Sequence, residues 1–332
     1  MKRRTESVTG GGAPRAVVLL GAQRFDPTLR DAISDFGVKG KIATITAGWQ
    51  ERETDDADLV EHLEGRCVNL RLHARAEEVF KADPELHEAH RTRQALLRQR
   101  QDFYRIRLEH ALDTELVISQ RAAPEAMLEE EERASVDAIR ELDQRHLERC
   151  ERDRRQFDDT IRPARRAAVV RQRAELAAIV SECEGIAIAG GHVASLLNRL
   201  ALFDIGALAA NKVVFAWCAG AMALAERVVL FHDSPPQGPG AAEVLDRGLG
   251  LVTNAVVLPQ PEFRLRLDDR ARVALMARRF APAHCIALPA RARVGWSRGG
   301  PSAPYGVLEL RDDGTYQTLQ SHSQAAIKVR LP

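Results

Sequence analysis

The chain has 332 residues, with 45% hydrophobic residues, 48 basic and 47 acidic side chains and a net charge of +1. That length holds one large domain or two small ones. The balanced charge gives no field to gather nucleic acid or an anionic membrane surface, and no apolar run approaches the ~20 residues a membrane span needs. Five scattered cysteines (Cys67, Cys150, Cys183, Cys218, Cys285) form no CxxC pair and no Cys/His cluster with zinc spacing, so neither a structural metal nor a cofactor is expected. An odd cysteine count behind a start that lacks a signal-peptide core fits a reducing cytoplasm.

The Gly-rich start, residues 1–14, reads as a flexible tail. After it, "AVVLLG" (16–21), "KIATITAG" (41–48) and "CVNLRL" (67–72) read as buried strands. Between them "DPTLRDAISDFG" and "DDADLVEHLEG" have helical patterns ended by glycine. Strand, helix, strand, helix, strand is the rhythm of a parallel α/β sheet.

From Pro84 to Glu182 that rhythm stops. The stretch is dense in Arg, Glu, Gln, Leu and Ala and almost free of glycine. Helices are expected from about Pro84 to Ser119, Pro124 to Asp159 and Pro163 to Cys183. In the second, Leu128, Val136, Ile139, Leu142 and Leu147 make one apolar stripe on a charged rod. Such a stripe must be covered, most simply by an antiparallel hairpin partner or by a second subunit. Solvated structural faces, homo-oligomerisation and partner docking are all compatible with this pattern.

From Gly185 the α/β rhythm returns. "GIAIAGG" is a strand into a glycine turn, "HVASLLNRLALFDIG" an amphipathic helix and "KVVFAW" a strand that ends at Cys218. "NAVVLP" is a further strand and "LDDRARVALMARRFA" a helix. "HCIALP", "RARVGW", "YGVLEL" and "TYQTLQ" are a closing set of short strands, with a hairpin turn at "LRDDGTY".

In "FAWCAGAMAL" a strand stops at Cys218 and the small residues Ala219, Gly220 and Ala221 follow. Nucleophilic acyl chemistry asks for this: a side chain thrown forward by a tight strand-to-helix turn with small neighbours. The following helix start offers N–H groups and a positive dipole, which favour a thiolate and an oxyanion. "AGGH", 189–192, ends the preceding strand and is placed to give a second oxyanion donor through Gly190 or Gly191. The competing reading is a small buried thiol at a strand end.

Four segments together resemble the dipeptidase E and cyanophycinase family of serine peptidases, which has a class I glutamine amidotransferase-like fold. "IAIAGGHVASLLNRL" resembles the family's Gly-rich loop and helix, with His192 where Asn or Asp is common. "FAWCAGAMAL" resembles its Ser-Ala-Gly-Ala elbow, with Cys218 in place of Ser. Asp233 lies near the position of the acidic triad member. "RGLGLVTNAVVLPQPEFRLRLDDRARVALMARRF" resembles the segment that carries the triad histidine, and "ATITAGWQERETDD" the early strand and loop. The likeness covers about two-thirds of the chain and omits the helical stretch.

It implies an α/β domain over 15–84 and 183–332 with a mostly parallel central sheet flanked by helices, and an α-helical hairpin inserted over 85–182. It implies a hydrolase of small peptides or amides, with Cys218 as nucleophile, Asp233 as acid, and Gly190, Gly191 and Ala219 around the oxyanion. The family histidine aligns with Gln260, or with Pro261 in a second register, and neither can take a proton from the nucleophile; a thiol needs less help to ionise than a hydroxyl. His192 is the replacement base nearest the elbow in sequence logic; His232 and His284 are weaker choices. Gln260, Glu262 and Arg264 fall on the substrate side, and Arg264, Arg266 or Arg270 could meet a carboxylate. The other reading is a catalytically degenerate module that binds or assembles through its helical hairpin. A true glutamine amidotransferase fits less well, because "SHSQAAIKVRLP" offers His322 without a following Glu.

Overall fold

A computed structural model describes residues 12–231, 240–297 and 299–321. The expected tail lies outside the described residues as far as residue 11.

The first α/β run is β1 (Ala16–Leu20), α1 (Leu29–Asp35), β2 (Lys41–Ile45), a 3-10 segment (Ala47–Arg52), α2 (Ala57–His62), β3 (Cys67–Asn69) and α3 (Leu72–Ala82). The strand expected over 67–72 is cut short. Arg71 takes a left-handed conformation (φ 50°), and Leu72, Ala76, Val79 and Phe80 bury the inner face of a helix that starts at once. Their spacing of four, three and one residues is helical, and it outweighs the short apolar run before it.

Next come α4 (Pro84–Ser119), α5 (Glu125–Ile161) and α6 (Ala167–Ser181). Asp83 caps α4 by accepting from the Leu86 N–H at 3.0 Å, and Pro84 takes the first turn, where its missing N–H costs nothing. Helices α4 and α5 form the hairpin expected from the charged rod; Val136, Ile139 and Leu147 are buried and Leu142 half-buried. Helix α6 behaves differently. It buries Val169, Leu176 and Val180, packs on α3 and leads directly into β4 (Cys183–Ile188), so it covers the sheet as the crossover from β3.

The remainder is α7 (Val193–Leu202), α8 (Ile205–Leu208), β5 (Val213–Trp217), α9 (Ala219–Leu224), β6 (Val228–Leu230), β7 (Glu243–Asp246), β8 (Ala255–Pro259), α10 (Pro261–Arg264), α11 (Arg270–Phe280), β9 (His284–Leu288), β10 (Arg293–Ser297), β11 (Gly300–Tyr305), β12 (Leu308–Leu310) and β13 (Tyr316–Thr318). The seven-stranded sheet runs β11-β10-β1-β5-β4-β2-β3. Its five strands from β1 to β3 are parallel, and β10 and β11 close one edge in antiparallel fashion. A second sheet, β13-β12-β9-β8, and the β6-β7 ribbon lie apart from it. The protein is a mixed α/β molecule with a parallel-rich sheet flanked by helices and a long helical hairpin.

All five residues of β5 are buried, as a central parallel strand covered on both faces requires. Helix α1 packs Leu29 and Ile33 with Phe215 and Trp217 on one face; α6, α7 and α9 belong to the larger core on the other. Four parallel strands therefore bring their carboxyl ends to one edge: β1 at Gly21, β2 at Ala47-Gly48, β4 at Ala189-Gly190 and β5 at Cys218. In open parallel sheets that edge is where ligands bind.

Candidate active site

Cys218 has φ 49° and ψ −125°. L-residues rarely occupy this region, and holding one there costs about 1–3 kcal/mol, so the surroundings must impose it. They do so through glycines. A Cβ on Gly190 would stand 2.7 Å from the Cys218 Cβ, and one on Gly220 would stand 2.3 Å from the Ile188 carbonyl oxygen. The turn after β4 and the start of α9 thus meet backbone to backbone. Trp217 pairs with Leu20 of β1 in register, so Cys218 follows the centre of the sheet.

The small residues read from the sequence serve this approach. Gly191 has φ 111°, and a Cβ there would lie 2.3 Å from the Gly48 carbonyl oxygen. That same oxygen accepts the His192 N–H at 2.7 Å. A contiguous backbone layer therefore runs from Gly48 through Gly190 and Gly191 to Cys218. Ala219 opens α9, and the first donor inside that turn is the Met222 N–H, to the Cys218 carbonyl at 3.1 Å. The Ala219 N–H is accordingly one of the donors a helix start leaves for other acceptors.

The thiol itself is held in its neutral form. Burial pushes the Cys218 pKa up to about 11, and Arg264 pulls it weakly the other way. The sequence favoured a lowered value from the helix start; desolvation of the charged form outweighs it. Among the described residues, Cys218 Sγ makes no hydrogen bond.

His192 is exposed and caps α7. Its Nδ1 accepts from the Ser195 N–H at 3.2 Å and lies 3.0 Å from Ser195 Oγ. With Nδ1 used as an acceptor, the neutral ring carries its proton on Nε2. In that tautomer Nε2 donates, which is not the role of a base. Ser195 Oγ also accepts from the Gln50 side-chain amide at 2.8 Å. Gln50 has φ 58° and ψ −123°, the same unusual conformation as Cys218, two residues past the Gly48 contact. The sequence analysis missed Gln50; the only cue was the small pair Ala47-Gly48 after a strand.

Gln260 follows β8 in a left-handed conformation (φ 55°), donates its N–H to the Leu288 carbonyl at 3.2 Å and caps α10. Glu262 is exposed and accepts from the Ala290 N–H at 2.9 Å, which ties α10 to the loop after β9. That loop reaches β1, because the Gly21 N–H donates to the Ala292 carbonyl at 2.8 Å. Half-buried Arg264 thus sits on the cysteine side of the sheet's carboxyl edge, near enough to act on the thiol, and no described carboxylate pairs with it. His284 is spent elsewhere, with Nδ1 2.5 Å from Glu309 Oε1. Asp233, His232 and His322 lie outside the described residues. The structure therefore brings together Cys218, Ala219, Gly190, Gly191 and Arg264, with His192 attached through the Gly48 layer. Among the described residues no His/Cys/Asp/Glu group is arranged to hold a metal, and no helix is long and apolar enough to cross a membrane.

No family model matches the chain, and no curated protein matches it. Among solved structures it is similar to a peptidase from an acI-B1 Actinobacterium, with 11% identity and a TM-score of 0.41, covering 94% of this chain and 97% of that one. So distant a likeness says nothing about chemistry.

Proposed function

We propose that the protein is a peptidase-like hydrolase of the dipeptidase E and cyanophycinase kind, with a cysteine in the nucleophile position. The backbone of Cys218 carries this reading: φ 49° and ψ −125° at the carboxyl end of a central parallel strand, with Gly190 against its Cβ. A buried thiol with no task needs no such strain. Cys218 Sγ attacks the carbonyl carbon of a small peptide or amide. The N–H groups of Ala219 and of Gly191, beside Gly190, hold the oxygen that becomes negative. The C–N bond then breaks, the thiol proton leaves with the amine, and water hydrolyses the thioester. Asp233 acts as the acid that orients the proton carrier, His192 lies near the leaving group, and Gln260, Glu262 and Arg264 line the substrate side.

The test is labelling by iodoacetamide at neutral pH with peptide mapping. Cys218 should react faster than Cys150, which lies buried in the hairpin with its pKa pushed up to about 12 by burial. Equal rates at the two sites would sink the nucleophile.

A second reading has its own observation. The Cys218 thiol is neutral near pH 7 and Gln260 stands where the family histidine would, so the domain is a binding or assembly module that has lost catalysis. On this reading Cys218→Ala leaves every function of the chain intact. On the first it abolishes turnover of any substrate found by peptide-library screening.

A further inference from the structure

We infer that the helical hairpin is a self-association surface, and that a second copy of this chain packs its α4 antiparallel against the first. The surface is unusual for a free helix. Leu96, Phe103, Ile106 and Val117 are 40%, 63%, 53% and 51% exposed. Steps of seven, three and eleven residues put all four on one stripe of α4. The stripe lies opposite the buried side chains Gln101, Tyr104 and Leu108, which face the rest of the molecule. Helix α5 and strand β7 pack on that buried face, where Tyr104 meets Asp143 and His146 and Gln101 meets Glu243, so the stripe is open. Isolated exposed apolar residues are ordinary; four in line along a helix are the pattern of a contact seam.

Charge says what covers it. Along the hairpin the two signs are separated. Residues 91–107 hold six arginines and one acidic residue, and 142–155, which run back beside them, hold five arginines and four acidic residues. Residues 108–141, the far half, hold ten acidic residues and three arginines. Part of this charge is used inside the molecule: Arg100 pairs with Asp153, Arg105 with Glu243 and Arg154 with Asp246. Beside the open stripe, exposed Arg107 has no carboxylate partner among the described residues and exposed Asp113 has no basic one, while Glu109 acts on Arg105 of its own helix.

A rod positive at one end and negative at the other complements itself only head to tail. Antiparallel pairing sets the basic stretch 91–107 against the acidic stretch that begins at Glu109 of the second copy, twice by symmetry. Parallel pairing would set like charges side by side. A two-fold axis near Phe103 and Ile106 then closes the seam with the same patch on both copies, the usual arrangement of a dimer. This inference does not depend on the hydrolase reading, since the stripe is on the hairpin and the elbow is on the sheet edge.

Sedimentation velocity on the full chain tests it. A dimer is expected at low salt, with its Kd rising about tenfold or more from ~50 mM to ~500 mM salt as the charges are screened. Phe103→Glu with Ile106→Glu should give a monomer with an unchanged circular dichroism spectrum, since both side chains are exposed. Orientation is read by mixing Leu96→Cys chains with Val117→Cys chains under oxidant. Cross-links between the two variants are expected. A chain that stays monomeric at all salt concentrations, a dimer untouched by the double substitution, or Leu96→Cys chains joined chiefly to one another would each overturn the proposal, and none of them would bear on Cys218.

Discussion

Cys218 combines two properties that pull in opposite directions. Its backbone is held in a strained conformation, which the proposed nucleophile would use, while burial holds its pKa at about 11. Only the thiolate is alkylated, so the rate should climb about tenfold per pH unit until it levels near pH 11; at neutral pH the thiolate fraction is about 300-fold below that of an ordinary thiol with pKa ~8.5. Arg264 favours the charged form. Arg264→Ala should therefore move the plateau to higher pH and slow labelling further, as stopped-flow alkylation between pH 7 and 11 would show. Labelling that levels near pH 8 would instead mean that a base acts on the thiol. Gly190 tests the elbow from the other side. A methyl there meets the Cys218 Cβ at 2.7 Å, so Gly190→Ala should cost roughly 1–3 kcal/mol in urea unfolding, the range for overpacking a tight contact. The strand end at Cys218, its small neighbours and the glycine turn were legible in sequence because they are local. His192 was not legible in the same way: its tautomer depends on Ser195 and Gln50, and Gln50 is 145 residues from Ser195 in the chain.

At the scale of elements, the hairpin is held by one buried polar knot. Arg279 of α11 donates to both Asp143 oxygens at 2.7 Å, to Tyr104 Oη at 2.9 Å and to the Ala242 carbonyl at 2.6 Å. Tyr104 Oη donates to Asp143 at 2.7 Å and accepts the Val244 N–H at 3.1 Å. Helices α4, α5 and α11 and strand β7 meet there. Removing one charge strands the other in a dry site, so Asp143→Ala should destabilise by about 3–5 kcal/mol in urea unfolding. Asp143→Leu with Arg279→Met leaves no buried charge and should recover most of that loss, whereas a structural role for Asp143 alone predicts no recovery. The extent of α4 was readable, because Asp83-Pro84 marks its start and helix-forming residues continue without a break. The knot was not, since Arg279 reads as one more arginine on an exposed helix until the fold brings it to Asp143.

Across the whole molecule, the helical segment has two kinds of part. Its far end, 117–128, is exposed except for half-buried Ile118 and Leu128, so replacing it by a short Gly-containing turn should shift the thermal midpoint by no more than a few degrees. Excision of 85–182 should instead unfold the protein, because it also removes α6, whose Val169, Leu176 and Val180 belong to the sheet's core. Differential scanning calorimetry of the two deletions separates them; a folded 85–182 deletion would make α6 part of a detachable insertion. By itself the sequence determined the alternation of strands and helices, the hairpin and the strand-to-helix turn at Cys218, since periodicity, prolines and small residues act over a few neighbours. The tertiary structure alone decided three things: that α6 belongs to the sheet, that the Cys218 thiol is neutral, and that Arg264 is drawn to the cysteine side of the sheet. Each depends on desolvation or packing between segments far apart in the chain, and no local pattern of residues records which surfaces will be brought together.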